Sequence, residues 1–405
     1  MAFFSDPINF ISGWIQSLLS GWGFSASLVM VILYIIGITV LIIFAMALDI
    51  MLVWVERKVV ARFQDRLGPN RIGPFGLIQP FADIIKLVIK EDITPAGADK
   101  LLYNLGPVLA IASVIILWAI LPLSSKIFGV DLNVAVLYLV AAGALGTLSI
   151  IVGGWASNNK YALLGAFRMV ANMVSYEIPM VVVLLIPTIL ANSMSVQDIT
   201  MAQSGMWFAV LAPLAFLIFL ISAIAELGRA PFDLNEAESE IVAGFHIEYT
   251  GMKFGLFYAG ELLHAFTFGG FIAVLFFGGY GGFFGLEKIG FLSWLNNPFI
   301  QAVVFLAKAM FGYWVIMWVK YSMPRIRIDH MLAFNWKFLT PLALVVLVNT
   351  AVLSKVLSGL PNWGYWLGMF LSNVVIGYLT VEILRAYGRK QRKAAANLSP
   401  QRLQN

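Results

Sequence analysis

The sequence predicts an all-α polytopic membrane protein. Of its 405 residues, 60% are hydrophobic and only 12% are charged, whereas soluble domains carry about 25% charged residues. Apolar runs of about 20 residues, the length that crosses a bilayer as a helix, recur along the whole chain. These runs are continuous and do not alternate with polar residues, which argues against a transmembrane β-barrel.

Nine apolar runs are long enough to be membrane spans. They cover about 27–55, 105–123, 133–155, 170–191, 207–226, 253–279, 299–320, 338–358 and 364–385. The shorter segment 76–90 has apolar residues at helical spacing and polar residues elsewhere, which predicts an amphipathic helix at the membrane interface. The long acidic segment 227–252 is too polar to span. We expect a single transmembrane domain over 1–386 and a basic cytoplasmic tail over 387–405.

Basic residues are concentrated in alternate loops. With the loops 56–104, 156–169, 227–252 and 321–337 and the tail on one side, that side and the adjoining span ends hold 22 of the 26 Lys and Arg residues. The positive-inside rule places this side in the cytoplasm. We therefore expect the N-terminus outside and the C-terminus inside.

Several classes of site are excluded by composition. The chain has no cysteine, so it carries no disulfide and no cysteine-ligated iron–sulfur cluster. Its three histidines are scattered without metal-ligand spacing, and we expect no metal site. There is no Gly-rich nucleotide fingerprint. Any electrons that pass near this protein are expected to be carried by another subunit.

Five acidic residues lie within or at the ends of predicted spans: Asp49, Glu56, Glu177, Glu226 and Glu261. A charged side chain at mid-bilayer costs about 2.5–3.5 kcal/mol on insertion scales, so a functional role is the default interpretation. Solvation at headgroup level is the alternative for Glu56 and Glu226. A series of such carboxyl groups can hold and release protons, which predicts a proton path.

The segment "RAPFDLNEAESEIVAGFHIE" crowds carboxyl groups between two apolar runs. Its acids are Asp233, Glu236, Glu238, Glu240 and Glu248. Glu236 and Glu240 are four residues apart and would share a helix face, where like charges repel unless a cation, a proton or water compensates. The segment is therefore either solvated or able to take up protons.

A second polar loop, "ERKVVARFQDRLGPNRIGPFG", is basic and contains two Gly-Pro turns. A rigid basic loop suggests a docking platform for a partner or a site for anionic lipid headgroups. The sequence "PRIRID", with Arg325 and Arg327, supports the same two interpretations.

Together these motifs resemble one family. "ERKVVARFQDRLGPNRIGPFGLIQPFADIIKL", "FRMVANMVSYEIP", "RAPFDLNEAESEIVAGFHIEYTGMKF" and "PRIRID" occur in the order found in the H-type membrane subunit (also numbered subunit 1) of respiratory complex I, the proton-pumping NADH:quinone oxidoreductase. The likeness runs from about Trp54 to Pro341. Small departures are Leu227-Gly228 for the more usual Thr-Asn, and Asn172 and His330 for Gln.

The resemblance implies a role for each group of residues. Glu56, Arg57, Arg66, Asp83, Lys86, Arg325 and Arg327 would line or brace a quinone chamber. Asp233, Glu236, Glu238, Glu240 and Glu248 would form an acidic coupling loop beneath the peripheral arm. Glu177, Glu226 and Glu261 would form an intramembrane proton path.

The resemblance also implies partners and a location. Quinone would be the substrate, and FMN and iron–sulfur clusters would reside in partner subunits. Other membrane and peripheral subunits and membrane lipid would be the partners, with no nucleic acid. The expected location is the inner (plasma) membrane of the cell. Two alternatives stay open: the equivalent subunit of a membrane-bound hydrogenase or other-donor dehydrogenase, and an unrelated ion carrier.

Overall fold

The computed structural model describes residues 6–233, 242, 244–281 and 294–402, with side chains up to residue 390. Every regular element in these ranges is helical. The helices are α1 (Pro7–Gly21), α2 (Ala26–Phe63), α3 (Gln79–Ile89), α4 (Lys100–Trp118), α5 (Ala135–Ala156), α6 (Lys160–Ala191), α7 (Val196–Ala202), α8 (Phe208–Leu211), α9 (Pro213–Glu226), α10 (Gly251–Phe276), α11 (Pro298–Ser322), α12 (Ile328–Phe334), α13 (Thr340–Val356) and α14 (Asn362–Arg402). Short 3₁₀ turns occur at Pro74–Gly76, Gly244–His246 and Leu357–Gly359.

Eight helices among the described residues are long and apolar enough to cross a membrane. They are α2, α4, α5, α6, α10, α11, α14 and the continuous stretch Ile328–Gly359, in which α12 and α13 are joined by a π turn at Asn335–Leu339. Eight of the nine predicted spans correspond to these helices. The protein is thus an all-α polytopic membrane protein, as predicted.

The predicted span at 207–226 is an interrupted helix. It breaks at Ala212, and the apolar part that follows, α9, has 14 residues, fewer than the roughly 20 needed to cross a bilayer. The break precedes Pro213, whose ring favours the start of a helix and cannot donate a backbone hydrogen bond. The buried Asn373 amide of α14 donates to the Leu211 carbonyl at 3.3 Å and so covers the break.

The predicted amphipathic segment forms α3, and one further helix, α1, precedes the first span. α1 was not predicted because its apolar run is too short to span. It begins with Asp6 as N-cap, whose carboxylate accepts from the Asn9 backbone N–H at 3.3 Å. Phe81, Ile85 and Ile89 of α3 are exposed, as expected of a helix that lies at the membrane interface.

Prolines within α4 and α6 free backbone carbonyls that other elements satisfy. Pro107 has no N–H to donate to the Tyr103 carbonyl, which instead accepts from the Tyr249 hydroxyl at 3.2 Å. Pro179 likewise frees the Ser175 carbonyl, which accepts from the Asn335 amide at 2.5 Å. These contacts tie the acidic segment and the π turn to the bundle.

α10 and α11 approach each other through small residues. A Cβ atom on Gly269 would lie 2.5 Å from the Ala309 carbonyl oxygen and 2.8 Å from the Tyr313 backbone nitrogen. One on Gly312 would lie 3.0 Å from the Gly269 Cα. Close backbone packing of this kind is a main source of helix association in membranes. It fixes α10, which carries Glu261, against α11, which carries Lys320 and Tyr321.

The loops separate to two ends of the bundle. At one end the Asn159 amide donates to Glu248 Oε1 at 2.7 Å, which joins two loops predicted to be cytoplasmic. At the other end the Ser195 hydroxyl donates to Asp131 Oδ1 at 2.7 Å, which joins two loops predicted to be external. The grouping of the loops agrees with the charge pattern, while the orientation across the membrane stays a prediction.

Candidate functional site

Glu56 is a buried carboxylate near the end of α2. It is 5% exposed, and its Oε1 accepts hydrogen bonds from Lys320 Nζ at 2.7 Å and from the Tyr321 hydroxyl at 2.5 Å. Both donors lie in the last turn of α11. A buried carboxylate is tolerated when cationic or hydroxyl donors surround it. Within the described part of the chain, Glu56 Oε2 has no hydrogen-bond partner.

Arg229 connects Glu56 to Glu261. It follows α9 in the chain, is 6% exposed, and places Nη1 3.5 Å from Glu56 Oε1 and Nε 2.9 Å from Glu261 Oε1. The Nε contact is an ion pair without the alignment of a hydrogen bond. Burial by itself would lower the pKa of Arg229, but the Glu261 and Glu56 carboxylates raise it above its ordinary value. Arg229 is therefore a fixed positive charge between two acids.

A cavity of about 80 Å³ adjoins Glu261. It lies between α4, α5, α6 and α10, beside the end of α9 and the 3₁₀ turn Gly244–His246. Its ionisable and hydroxyl-bearing lining residues are Ser113, Ser149, Glu226, His246, Tyr258, Glu261 and His264. Glu226 and Glu261 thus border one cavity, although 35 positions separate them in the chain.

His246 stands where the acidic segment meets the cavity. Its ring packs against Phe245 and Phe254, with centroid distances of 5.2 and 5.3 Å. Burial lowers the pKa of His246 below 6.5, although the negative charge of Glu261 acts in the opposite direction. The neutral imidazole is therefore favoured at neutral pH.

Two further acids extend the line of charge. Glu177 on α6 is close enough to Glu226 for their charges to interact. Asp49, seven residues before Glu56 on α2, interacts electrostatically with Glu56. The described residues therefore place Asp49, Glu56, Arg229, Glu261, Glu226 and Glu177 in an ordered series, with the cavity between Glu261 and Glu226.

The predicted quinone-chamber residues form one buried and several exposed groups. Arg57 and Lys86 both pair with Asp83, at 2.6 and 3.4 Å, and the first pair joins α2 to α3. Arg66 is exposed and donates to the neighbouring Gln64.

The two arginines of "PRIRID" differ in their surroundings. Arg325 pairs with Asp233 at 3.0 Å, and this contact ties the start of the acidic segment to the loop before α12. Arg327 is the exposed N-cap residue of α12. The structure therefore gives Arg325 a fixed partner and leaves Arg327 on the surface.

The acidic segment is described only at its two ends. Glu236, Glu238 and Glu240 lie outside the described residues, so their predicted coupling role stays a prediction. At the described end, Glu248 accepts from Asn159, and its backbone carbonyl accepts from the Tyr103 hydroxyl at 2.7 Å.

Sequence reasoning did not assign a site role to several residues of this network. They are Arg229, Lys320, Tyr321, Tyr258, His246 and His264. A signal was present for two of them. Arg229 is the single basic residue of the acidic segment, and His264 follows Glu261 by three residues in an apolar helix, so that both share a face. Among the described residues, no group of three or more metal-ligating side chains could hold a metal ion.

Comparison with known proteins agrees with this arrangement. The family model described as NADH dehydrogenase matches residues 35–351. The H subunit of the NADH-quinone oxidoreductase of Dehalococcoides mccartyi (strain CBDB1) is 46% identical over 300 residues, which cover 74% of this chain and 80% of that protein. The first of the numbered H subunits of the Geobacter metallireducens enzyme is 46% identical over 74% of this chain and 89% of its own.

A third relative extends the match. The H subunit of the NADH-quinone oxidoreductase of Phocaeicola vulgatus is 39% identical over 351 residues, which cover 85% of this chain and 97% of that protein. The family model ends at residue 351, before α14 begins. The matched region contains Glu56, Glu177, Glu226, Arg229 and Glu261. The chain therefore belongs to the NADH dehydrogenase family, together with the H subunits of NADH-quinone oxidoreductases.

Proposed function

We propose that this chain is the H-type membrane subunit of a proton-translocating NADH:quinone oxidoreductase. In this role it forms the membrane side of a quinone chamber with peripheral subunits and couples quinone reduction to proton translocation. The observation that carries the proposal is the buried series Glu56–Arg229–Glu261, whose contacts of 3.5 and 2.9 Å join α2 to α10. Buried ion pairs are costly in a membrane protein and are expected chiefly at ion or substrate pathways.

Quinone access is proposed near α2 and α3. The exposed apolar side chains of α3 suit contact with an isoprenoid tail, and the polar group Arg57–Asp83–Lys86 lies beside them. Glu56 adjoins Arg57 in the chain and is buried behind it. A quinone headgroup near this cluster would meet hydrogen-bond donors and a cation, which orient a carbonyl oxygen.

The coupling mechanism follows from the position of Arg229. Reduction of a quinone to its hydroquinone takes up two electrons and two protons. Negative charge that develops on the quinone near Glu56 attracts Arg229 and weakens its pairing with Glu261. Glu261 then binds a proton more readily, and it can exchange that proton across the cavity with Glu226. Translocation of each charge requires about 2.3 kcal/mol per 100 mV of membrane potential.

The redox cofactors belong to other subunits in this proposal. FMN and iron–sulfur clusters would reside in peripheral partners, because this chain has no cysteine and contains no metal-ligating group among its described residues. The remaining partners would be other membrane subunits, quinone and lipid. The location would be the plasma membrane, with the N-terminus outside and the C-terminus in the cytoplasm.

The proposal is tested on the intact complex in native membranes with a photoreactive quinone analogue. We expect crosslinks on α2 and α3 close to Glu56, together with flavin and iron–sulfur subunits in the purified complex. Crosslinks only at other subunits would contradict the chamber. Nickel in place of flavin would favour the hydrogenase alternative, and absence of redox partners would favour a carrier.

Glu56→Gln provides the functional arm of the test. Loss of charge-assisted hydrogen bonds worth about 1.5–3 kcal/mol corresponds to about tenfold or more slower NADH:quinone turnover. Glu382→Gln is the matched control, because Glu382 pairs only with Arg385 and Arg389 on α14 within the described residues. Equal turnover in the two variants would count against a role for the buried network.

A further inference from the structure

The cavity beside Glu261 brings a histidine between the two acids of the proposed proton path. His264 and Glu261 are three residues apart on α10, so both side chains project from one helix face. Both line the cavity, and Glu226 borders it from the end of α9. His264 is therefore placed to contact whatever occupies the space between the two carboxyl groups.

The polar atoms at this cavity lack protein partners. Glu226 is 4% exposed, and its Oε2 makes no hydrogen bond within the described part of the chain. Across the same ranges, the His264 ring makes one aromatic contact, with Phe268, at a centroid distance of 5.0 Å. Buried polar atoms are nearly always hydrogen-bonded, to protein or to ordered water. Water in the cavity is the partner that suits both groups.

The volume is sufficient for this water. A buried water needs about 10–15 Å³ of such space, and the cavity offers about 80 Å³. The hydroxyls of Ser113 and Ser149 also line it. They donate to backbone carbonyls of their own helices at 2.8 and 2.6 Å, and their oxygens can still accept from water. Several waters can therefore be held in fixed positions.

The groups that face His264 divide into fixed and exchangeable charges. Glu261 is paired with Arg229, and His246 lies at the cavity edge between two aromatic rings. Glu226 has no cationic partner among the described residues. A direct transfer between two carboxyl groups would have to cross the cavity through water alone. An imidazole between them accepts a proton on one nitrogen and donates from the other.

We propose that His264 is a proton-relaying residue that connects Glu226 and Glu261 through water in this cavity. The inference rests on the proposed function of the acidic path. A proton leaves the Glu226 carboxyl, passes through water to one nitrogen of His264, and a proton on the other nitrogen passes to the Glu261 carboxylate. No electron is transferred, and the reverse sequence resets the relay. Arg229 sets the direction by the strength of its pairing with Glu261.

The test uses the whole complex reconstituted in liposomes. His264→Gln keeps a hydrogen-bonding side chain of similar size that cannot carry a proton, and His264→Leu removes polarity. Positioned proton-transfer groups contribute about 100-fold or more in many enzymes. We expect both variants to lower quinone-linked proton translocation at least about tenfold, with a larger solvent deuterium isotope effect. His330→Gln is the control for the same chemical change, because His330 lies outside the cavity, on α12.

The outcomes separate this inference from the proposed function. Impaired translocation in Glu226→Gln, together with wild-type translocation in His264→Gln, would overturn the relay and leave the acidic path intact. Loss in His264→Leu with full retention in His264→Gln would show a hydrogen-bonding role and also overturn the relay. Wild-type translocation in Glu226→Gln would overturn the acidic path and the relay together.

A measurement on the unsubstituted protein covers variants that do not assemble. With isotope-labelled histidine in the complex, quinone reduction should produce an imidazole protonation band in the infrared difference spectrum. Absence of any such band would overturn the proposal.

Discussion

Arg229→Met removes the cation that joins two acids and keeps a flexible side chain in its place. In the variant, Glu56 keeps its contacts with Lys320 and Tyr321 at 2.7 and 2.5 Å. Glu261 loses the one ion pair that the described residues give it. Removal of one partner of a buried pair costs about 3–5 kcal/mol. Because the Glu261 side chain is 27% exposed, we expect the lower end, about 3 kcal/mol.

The free energy of unfolding of the full chain, measured by SDS titration in mixed micelles, tests this value. The double variant Arg229→Met, Glu261→Gln removes both charges and should recover about 1 kcal/mol or more of the loss, because no unpaired charge is left. Lys320→Met is the matched control and should cost less, since Glu56 retains two partners. The reasoning is refuted if Arg229→Met lies within about 0.5 kcal/mol of wild type or if the double variant recovers nothing.

Three further predictions concern the supporting structure. Asn335→Leu leaves the Ser175 carbonyl without its 2.5 Å donor and should lower the free energy of unfolding by about 1–3 kcal/mol, measured by the same titration. Gly269→Val places side-chain atoms against α11 and should impair assembly of the complex, seen as loss of intact complex on native gels, whereas the same change at Gly359, which has open space around it, should not. The pKa of His246 is lowered from 6.5 in the folded state, so the unfolded chain binds more protons between that lowered value and pH 6.5, and stability falls as pH drops through this window. His246→Asn should flatten that pH dependence, and an unchanged slope would contradict the assignment.

Sequence patterning predicted most of the fold because length and hydropathy are local properties. Eight spans and the amphipathic α3 could be predicted from apolar runs alone. The break at Ala212 was missed because mean hydropathy over 207–226 does not register a change in backbone direction before Pro213. The polar start of Ile328–Gly359 was missed for the opposite reason, since α12 continues the span through residues that are not apolar.

The candidate site was predicted in part, on the side of the acids. Glu56, Glu226 and Glu261 could be identified because a carboxyl group in an apolar run is costly wherever it lies. Their partners could not, because ion pairing depends on the fold: 264 positions separate Glu56 from Lys320. The order of the series and the cavity that interrupts it are likewise properties of helix packing and cannot be read from spacing.

The most direct test of the central claim counts protons translocated per NADH oxidised by the intact complex in liposomes, with Glu226→Gln compared with Glu382→Gln. If the buried series carries the coupling, Glu226→Gln lowers this ratio while Glu382→Gln keeps the wild-type value. A wild-type ratio at a wild-type rate in Glu226→Gln would contradict the account.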